Sequence, residues 1–516
     1  MKKIFISGLV AGLFGLSACH DFLQPKSQSE FVPETVQSLD EMLVGEVYMG
    51  PEDIGLYNIL GVFDDDVACT PQVKYSDNQE KNIEQGRLAF SWDRNMIHLL
   101  SGYGSIYSVM YKHILGCNAV MDFIDGVDGS KEQRGSVKAQ ALTMRAFYYL
   151  HLVNLYGKPY SFDRNALGVP LKLTSELNTS GIPRNTVGEV YRQIVDDLLE
   201  AERQFEVAGE PEKGWKASRR ATAPVTDLLL SRVYLYMEDW RNAVKYGEKV
   251  LEYKGFGLYD LNTVPDPVSN RGYYPDLCSL ENPETIFQFG SQGDAAQMGS
   301  RQMEWQDELR PGILSTLSQS LFRASDELVA CMDEIPGDLR KNVYLMWDAP
   351  SIEDLEYYRP LSKYPAFYYR MDISYTQWGA VMKNTEAYLN AEEAAAMVNK
   401  TEGDAAYRTK ALGLLNTLRQ QRFASYVPLT AADFTSADEL VEFTRRERRR
   451  ELCFEHHRWF DLRRYGMEPL THTWNPREGR PITYTLEKND AGFTLLIPQG
   501  AFSLNPALVQ NKTRGN

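Results

Sequence analysis

The chain has 516 residues, of which 43% are hydrophobic and 24% are charged, and its formal net charge is −15 at pH 7. So acidic a chain is a poor ligand for nucleic acids and for anionic membrane surfaces, because both attract proteins through lysine and arginine. The same charge disfavours highly sulfated ligands unless a local arginine cluster attracts them. The length is ample for a large buried core and by itself suggests about three domains.

The N-terminal segment has the three parts of a secretory signal. Lys2 and Lys3 precede an apolar run over residues 4–16, and small residues and Cys19 follow it. This order is typical of a signal peptide. As a helix the apolar run spans only about 20 Å, which is shorter than the roughly 30 Å hydrocarbon core of a membrane. We therefore expect residues 1–18 to be a signal peptide that is removed.

Residues 16–19 read Leu-Ser-Ala-Cys and resemble the lipobox of bacterial lipoproteins. The resemblance implies that Cys19 is acylated and becomes the first residue of the mature chain; the alternative is an ordinary secretory signal with a cysteine there by chance. Processing removes Lys2, Lys3 and no acid, which leaves 498 residues with a formal charge of −17. We expect residues 19–35 to form a polar, lipidated tether. No other apolar stretch approaches the length of a membrane span, so lipid is the predicted membrane attachment.

Apolar residues recur every three or four positions in several segments, which predicts amphipathic helices. Segments 222–237 and 240–253 are separated by only two residues, so we expect an antiparallel pair close in length to a tetratricopeptide unit. Segments 384–399 and 405–421 predict a second pair. The predicted helices are 36–45, 97–124, 137–156, 189–205, 222–237, 240–253, 384–399, 405–421 and at least one within 436–465.

About 130 irregular residues separate the two helix pairs, and a stretch that long inside a compact chain predicts a functional subregion. Near the C-terminus, segments 482–486 and 493–497 flank a turn-forming sequence and predict a short hairpin. The predicted fold class is therefore mainly α. It is a tetratricopeptide-like helical-repeat scaffold with a large loop-rich insert and a few short β-hairpins.

Besides Cys19 there are five cysteines, at widely spaced positions, and no CxxC or zinc-binding spacing occurs. An odd number leaves at least one thiol outside any disulfide. Cys117 and Cys453 fall inside helical patterns, so we expect them to behave as small buried hydrophobic residues.

Several segments match a known family. The longest is 446–464, RERRRELCFEHHRWFDLRR, which resembles the C-terminal signature of the SusD/RagB family of outer-membrane nutrient-binding lipoproteins. Four shorter stretches agree with the family in the same order: RAFYYL at 145–150 with LYG at 155–157, SRVYLY at 231–236, EAYLNAEEA at 386–394, and IPQ at 497–499 with LNP at 504–506.

The resemblance implies a lipid-anchored outer-membrane protein at the cell surface. Members of the family hold oligosaccharides, are not known as enzymes, and lie like a lid on a SusC-like TonB-dependent transporter. We expect one SusD-like domain over 36–516, with the helical-repeat scaffold at 36–254 and 384–516 and a loop-rich ligand-binding subregion at about 255–383. The sugar-contacting loops of the family share no motif, so no ligand contact can be transferred.

Candidate ligand-binding residues follow from the chemistry of sugars, whose C–H faces pack on aromatic rings. Ten aromatic residues lie among the 35 residues from Tyr344 to Trp378, well above the 12% average of the chain. Location in a loop favours a binding role, and the alternative is that most of these rings fill an irregular core. The candidates are Trp305, Trp347, Tyr358 and Trp378 in the insert, and Trp92 ahead of the first long helix.

The segment 445–464 contains eight arginines and four acids. A nucleic-acid patch is one interpretation, but the acids are interleaved at helical spacing, as in Glu442 to Arg446, Glu447 to Arg450 and Glu455 to Arg458. We therefore predict a structural ion-pair network.

No metal or cofactor is predicted. The carboxylates of the acidic runs 64–66 and 122–128 could bind calcium, but neither run has the EF-hand spacing. We therefore expect two solvated acidic loops. Motifs GxSxG, HExxH and the P-loop are missing from the sequence, which argues against an enzyme. Two alternatives to glycan capture are a tetratricopeptide-type scaffold for a protein partner and, less favoured, a glycoside hydrolase.

Overall fold

The computed structural model describes residues 33–49, 60–69, 80–100, 103–265, 277, 279–289, 321–345, 380–476 and 479–514, and the fold is mainly α, as predicted. The helices are α1 Val36–Met42, α2 Glu80–Phe90, α3 Met96–Leu99, α4 Tyr103–Phe123, α5 Lys131–Tyr156, α6 Tyr160–Asp163, α7 Val187–Ala208, α8 Ala223–Tyr236, α9 Trp240–Glu252, α10 Asp326–Asp333, α11 Arg340–Tyr344, α12 Asn384–Glu402, α13 Ala405–Gln420, α14 Ala437–Leu452, α15 Arg458–Arg464 and α16 Gln499–Leu504. The strands are β1 Val67–Cys69, β2 Thr285–Phe289, β3 Phe322–Ala324, β4 Ala380–Lys383, β5 Leu470–Trp474 and β6 Ile482–Leu486.

Helix ends have local causes that the sequence contains. Helix α5 begins after Ser130, whose hydroxyl accepts the amide of Gln133 while the Gln133 side chain accepts the amide of Ser130. This reciprocal capping satisfies two backbone donors that a helix start leaves without partners. The helix ends at Gly157, the residue after its last turn, where the chain becomes extended.

Two helix predictions need correction. The segment 97–124 is divided into α3 and α4, because Leu100 takes an extended conformation and ends α3 after one turn. The helix α2 is not predicted by the sequence analysis, since its composition is mostly polar and its apolar residues are few.

The two repeat pairs are neighbours in space although the insert separates them in sequence. Helix α8 packs on α9, α9 packs on α12, and α12 packs on α13 and α14. Gly247 on α9 allows the close approach, because a Cβ there would lie 2.9 Å from the Cβ of Ala391 on α12. Each pair thus buries its apolar face against the next one, as expected for stacked repeats.

The insert leaves and re-enters the scaffold at one place. Strand β2 pairs antiparallel with β4, and Phe289 lies opposite Ala380. These two residues border the segment 290–379, so its ends are held side by side. Within the insert, β3 pairs with β1 of the N-terminal region, and α10 and α11 follow β3, so this subregion contains more regular structure than the sequence predicts.

The predicted C-terminal hairpin is wrong in one strand. Strand β6 lies where it is predicted, but its partner is β5, in which Leu470, His472 and Trp474 alternate inward. Residues 491–493 form a 3-10 turn capped by Asp490. The segment that follows is held by the amide of Leu495, which donates to a carbonyl at the end of α5. This segment therefore bonds to the end of α5 and does not form the predicted strand.

Cys117 and Cys453 are both fully buried, as predicted. Within the described ranges, no helix combines the length and apolar character that a membrane crossing requires.

Candidate functional site

Most of the predicted ligand-binding residues, and the predicted lipidation site, lie outside the described residues. These are Trp305, Trp347, Tyr358, Trp378 and Cys19. Their roles stay predictions. The remaining candidate, Trp92, is described.

Trp92 is packed into the core, with 2% of its surface exposed. Its indole N–H donates to the carbonyl of Phe63 at 3.0 Å, and its ring stacks on His472 with centroids 4.2 Å apart. Its φ of +50° lies in the left-handed region, which residues with a Cβ rarely occupy. The geometry gives the ring a packing role, and contact between Trp92 and a ligand stays a prediction.

The strained turn at Trp92 borders an open surface recess, here called the basic recess. It lies between residues 92–97 and the C-terminal segment 491–514. Met96, Ile97 and Leu495 supply an apolar lining. The cations at the recess are Arg94, Lys512 and Arg514.

Asp93, which lines the basic recess, and Asp490, which lies next to its lining residue Ala491 in sequence, are both engaged by neighbours. Asp93 pairs with Arg87 at 3.3 Å, and Asp490 pairs with Arg514 at 3.3 Å and accepts the amide of Gly492 at 2.7 Å.

By contrast, Arg94 and Lys512 are exposed and have no hydrogen-bond or ion-pair partner among the described residues. They are more than 400 residues apart in sequence. The only sequence signal for this site is the position of Arg94 two residues after Trp92.

A second recess lies at the base of the insert, next to Phe289 and Ala380. It is lined by His151, Arg232, Tyr236, Glu455, His456 and His457, among others. We call it the neck recess.

The cations of the neck recess are paired inside the protein. Arg232 donates to both oxygens of Glu386 at 2.5 and 2.6 Å, and Lys383 of β4 pairs with Glu455 at 2.6 Å. Burial and, to a lesser extent, the charge of Arg232 lower the pKa of His151 to about 4. The neck recess therefore ties the insert to the scaffold through satisfied charges.

The arginine-rich signature forms the predicted ion-pair network, centred on two buried carboxylates. Glu451 accepts from Arg340 at 3.2 Å, from Arg422 at 2.9 Å and from the hydroxyl of Tyr344 at 3.0 Å. Tyr344 is one of the ten clustered aromatic residues, and its buried hydroxyl gives it a structural role. The carboxylate thus joins α11 of the insert to the scaffold.

Glu447 is the second centre. Its oxygens lie 2.9 Å from Arg340, 2.6 Å from Arg419 and 3.3 Å from Arg450. Burial opposes ionisation, but these arginines hold the pKa of Glu447 at about 2. Nearby Glu392 is fully buried, and neither of its oxygens has a hydrogen-bond partner among the residues that the structure describes. Burial and, to a lesser extent, the charge of Glu447 raise its pKa well above the ordinary value.

The partners inside this network are mostly distant in sequence. Of the local pairs predicted, Glu447 to Arg450 is confirmed at 3.3 Å. Glu442 to Arg446 is wrong, because Glu442 pairs with Arg445 at 3.1 Å, one position earlier. Arg446 lies 3.6 Å from Glu334 of the insert.

The pair Glu455 to Arg458 is also wrong. Glu455 pairs with Lys383, and Arg458 donates to both oxygens of Asp65 at 2.6 and 2.7 Å. The end of α14 at Leu452 turns the chain, so helical spacing no longer applies between these residues.

The acidic run 64–66 is not a solvated loop, contrary to expectation. Asp64 and Asp66 are buried, and Arg449 donates to Asp66 at 2.6 Å. Buried carboxylates require such partners, because desolvation of an isolated charge is costly. In the other run, Asp122 accepts from the amide and hydroxyl of Ser175. Within the described ranges, no group of three or more acidic, histidine or cysteine side chains is arranged to hold a metal.

Two family models match the chain. One, described as SusD family, matches residues 352–513, and the other, described as starch-binding and associating with the outer membrane, matches residues 21–235. Together they cover more than two thirds of the sequence. The chain belongs to the SusD/RagB family.

Similar proteins agree with this assignment. The SusD-like protein P2 of Formosa agariphila is 25% identical over 360 residues, which are 66% of this chain and 66% of that protein, slightly less than two thirds of its length. A SusD superfamily protein from Bacteroides thetaiotaomicron has a TM-score of 0.67 at 21% identity, over 93% of this chain and all of that one. A laminarin binding SusD-like protein has a TM-score of 0.61 at 18% identity, over 93% and 99% of the two chains. These structures share the fold of this chain.

Proposed function

We propose that the protein is a cell-surface glycan-binding lipoprotein that passes its ligand to a SusC-like TonB-dependent transporter in the outer membrane. Acylated Cys19 would anchor it, and residues 19–35 would serve as the tether. Binding without cleavage is the proposed activity, with no metal or cofactor.

Membership of the SusD/RagB family carries this proposal. One protein with the same fold is described as laminarin binding, and one matching family model is described as starch-binding and associating with the outer membrane. The architecture is suited to capture, because Phe289 and Ala380, which border the segment 290–379, are paired side by side on the helical scaffold. A rigid scaffold that presents variable loops is a common design for binding sites.

The proposal is tested by calorimetry on the mature chain with a panel of polysaccharides. We expect saturable binding with no release of reducing ends. Trp347→Ala and Trp378→Ala should each weaken binding, whereas Trp240→Ala, on a scaffold helix, is the matched control. Full affinity in both insert variants would refute the choice of site. Release of reducing ends would favour a hydrolase, and recovery of a protein partner with no glycan affinity would favour the scaffold alternative.

Anchoring and partnership need a separate measurement. In cells, the wild-type chain should incorporate labelled fatty acid, fractionate with the outer membrane and co-purify with a TonB-dependent transporter. Cys19→Ala should abolish the labelling, because the acceptor sulfur is removed. An unlabelled wild-type chain in the soluble periplasm would contradict the proposed anchor.

A further inference from the structure

We propose that the basic recess binds the carboxylate of an acidic saccharide, of the uronic-acid type, through Arg94 and Lys512. This inference rests on the proposed glycan-binding function and adds a substrate class to it. The site is built from residues 92–97 and 491–514 of the scaffold rather than from the insert.

The charges of the recess favour an anionic ligand. Asp93, the acid that lines the recess, pairs with Arg87 and accepts a backbone amide, and Asp490, which precedes the lining residue Ala491, pairs with Arg514. These carboxylates are therefore not available to neutralise Arg94 and Lys512. Arg94 and Lys512 therefore present positive charge to a ligand on a protein whose net charge is −15. An anion in solution is repelled by the protein as a whole and is attracted locally at this recess.

The groups that line the recess match the carboxylate and the apolar face of a uronic acid. A carboxylate is planar, and the guanidinium of arginine presents parallel N–H donors that match it, while lysine adds a compact charge. In a uronic acid the carboxylate projects from the edge of a pyranose ring that also has an apolar C–H face. Met96, Ile97 and Leu495 offer that face an apolar surface beside the cations.

The backbone beside the recess is held in a fixed conformation. Trp92 is held at a φ of +50°, and its stacking on His472 fixes the conformation. The carboxylate of Asp93 accepts the amide of Asn95 at 2.8 Å, which fixes the residues around Arg94. Backbone strain of this kind persists where the surrounding structure enforces it, and it accumulates at binding sites. The recess is therefore formed before any ligand arrives.

The test uses the mature chain and two probes of equal length, an oligogalacturonate and a neutral galacto-oligosaccharide, in calorimetry at low salt. The variant is Arg94→Gln combined with Lys512→Gln. The matched control, Lys131→Gln with Arg192→Gln, removes the same charge from exposed positions on α5 and α7. We expect the oligogalacturonate to bind, its affinity to fall at least tenfold in the recess variant and with added salt, and the control to retain wild-type affinity.

Several outcomes overturn the inference. They are no affinity for the oligogalacturonate, equal affinity in the recess variant, an equal loss in the control variant, or an affinity for the neutral galacto-oligosaccharide equal to that for the oligogalacturonate. If the neutral glycans of the panel still bind in those cases, the proposed glycan function stands and only the acidic site fails. If no saccharide binds at all, both proposals fail.

Discussion

Arginine plays opposite roles in two regions of this molecule. In the network around Glu447 and Glu451, buried guanidiniums share carboxylates that join the insert to the scaffold. In the basic recess, Arg94 is exposed and its neighbouring acid Asp93 is bound elsewhere. The same side chain is structural where a carboxylate saturates it and is available to a ligand where none does. Pairing, rather than residue type, separates the two regions.

Breaking the ion-pair network around Glu447 and Glu451 should have the largest effect on stability. Glu451→Gln removes the charge shared by Arg340 and Arg422, and both guanidiniums are fully buried. Removing one partner of a buried ion pair costs about 3–5 kcal/mol. Arg340 keeps Glu447 and Arg422 keeps Glu284, so the free energy of unfolding in urea should fall by about 3 kcal/mol, the lower end of that range. Glu327→Gln, at an exposed position on α10, is the control and should change stability by less than about 0.5 kcal/mol. Equal stability of the two variants would show that the network contributes little.

Acid should weaken the fold at the neck recess, which His151 lines, and leave the cations of the basic recess unchanged. The pKa of His151 is lowered from its ordinary value by burial, to about 4, so the folded chain keeps it neutral while the unfolded chain protonates it near pH 6.5. Its contribution to stability is present above pH 6.5 and is lost as the pH falls through 4, by about 2–3 kcal/mol. Unfolding free energies from pH 7 to 4 should therefore fall more steeply in the wild type than in His151→Gln. Parallel pH profiles would contradict this assignment.

Two adjacent acids on α12 sharpen the comparison inside the network. Glu393 is paired with Arg464 and Arg445, whose charges overcome its burial and lower its pKa, whereas burial raises the pKa of Glu392. The folded chain holds a proton on Glu392 that the unfolded chain releases above about pH 4.5, so stability is lost as the pH rises through the folded pKa.

Glu392→Gln mimics the protonated acid and should raise the free energy of unfolding at pH 7 by an amount on the order of 1 kcal/mol. The variant should also lose less stability than the wild type as the pH rises above about 4.5. Glu393→Gln should destabilise, since it removes one of the two carboxylates that pair with the buried Arg464. Urea unfolding of both variants decides the matter, and a destabilised Glu392→Gln would mean that Glu392 is ionised in the fold.

The sequence predicts what depends on neighbours along the chain. Helix α5 and its cap at Gly157 follow from residues within one or two turns of each other, and so do the antiparallel repeat pairs. The packing of α9 on α12 is beyond the local pattern, because Gly247 and Ala391, which meet there, are 144 residues apart in sequence.

The same limit explains the errors in the ion pairs. Helical spacing identifies Glu447 to Arg450, but it cannot indicate that Arg458 meets Asp65 from the other end of the chain. The ring of Trp92 makes it a candidate from the sequence, whereas the structure buries that ring and exposes Arg94, two residues later. Lys512 carries no local signal at all, since only the fold brings it to Arg94.

The smallest expected effect on stability is in the basic recess, and it is the sharpest form of the comparison. Arg94→Gln with Lys512→Gln removes two cations that have no partner among the described residues, so no buried charge is left behind. Exposed substitutions away from structural features usually change stability by less than about 0.5 kcal/mol, and urea unfolding should show no more than that. A loss well above 1 kcal/mol would mean that these cations are structural like those of the network. Unchanged stability together with lost affinity for oligogalacturonate is the result that a ligand site requires, because it separates binding from folding at the same two residues.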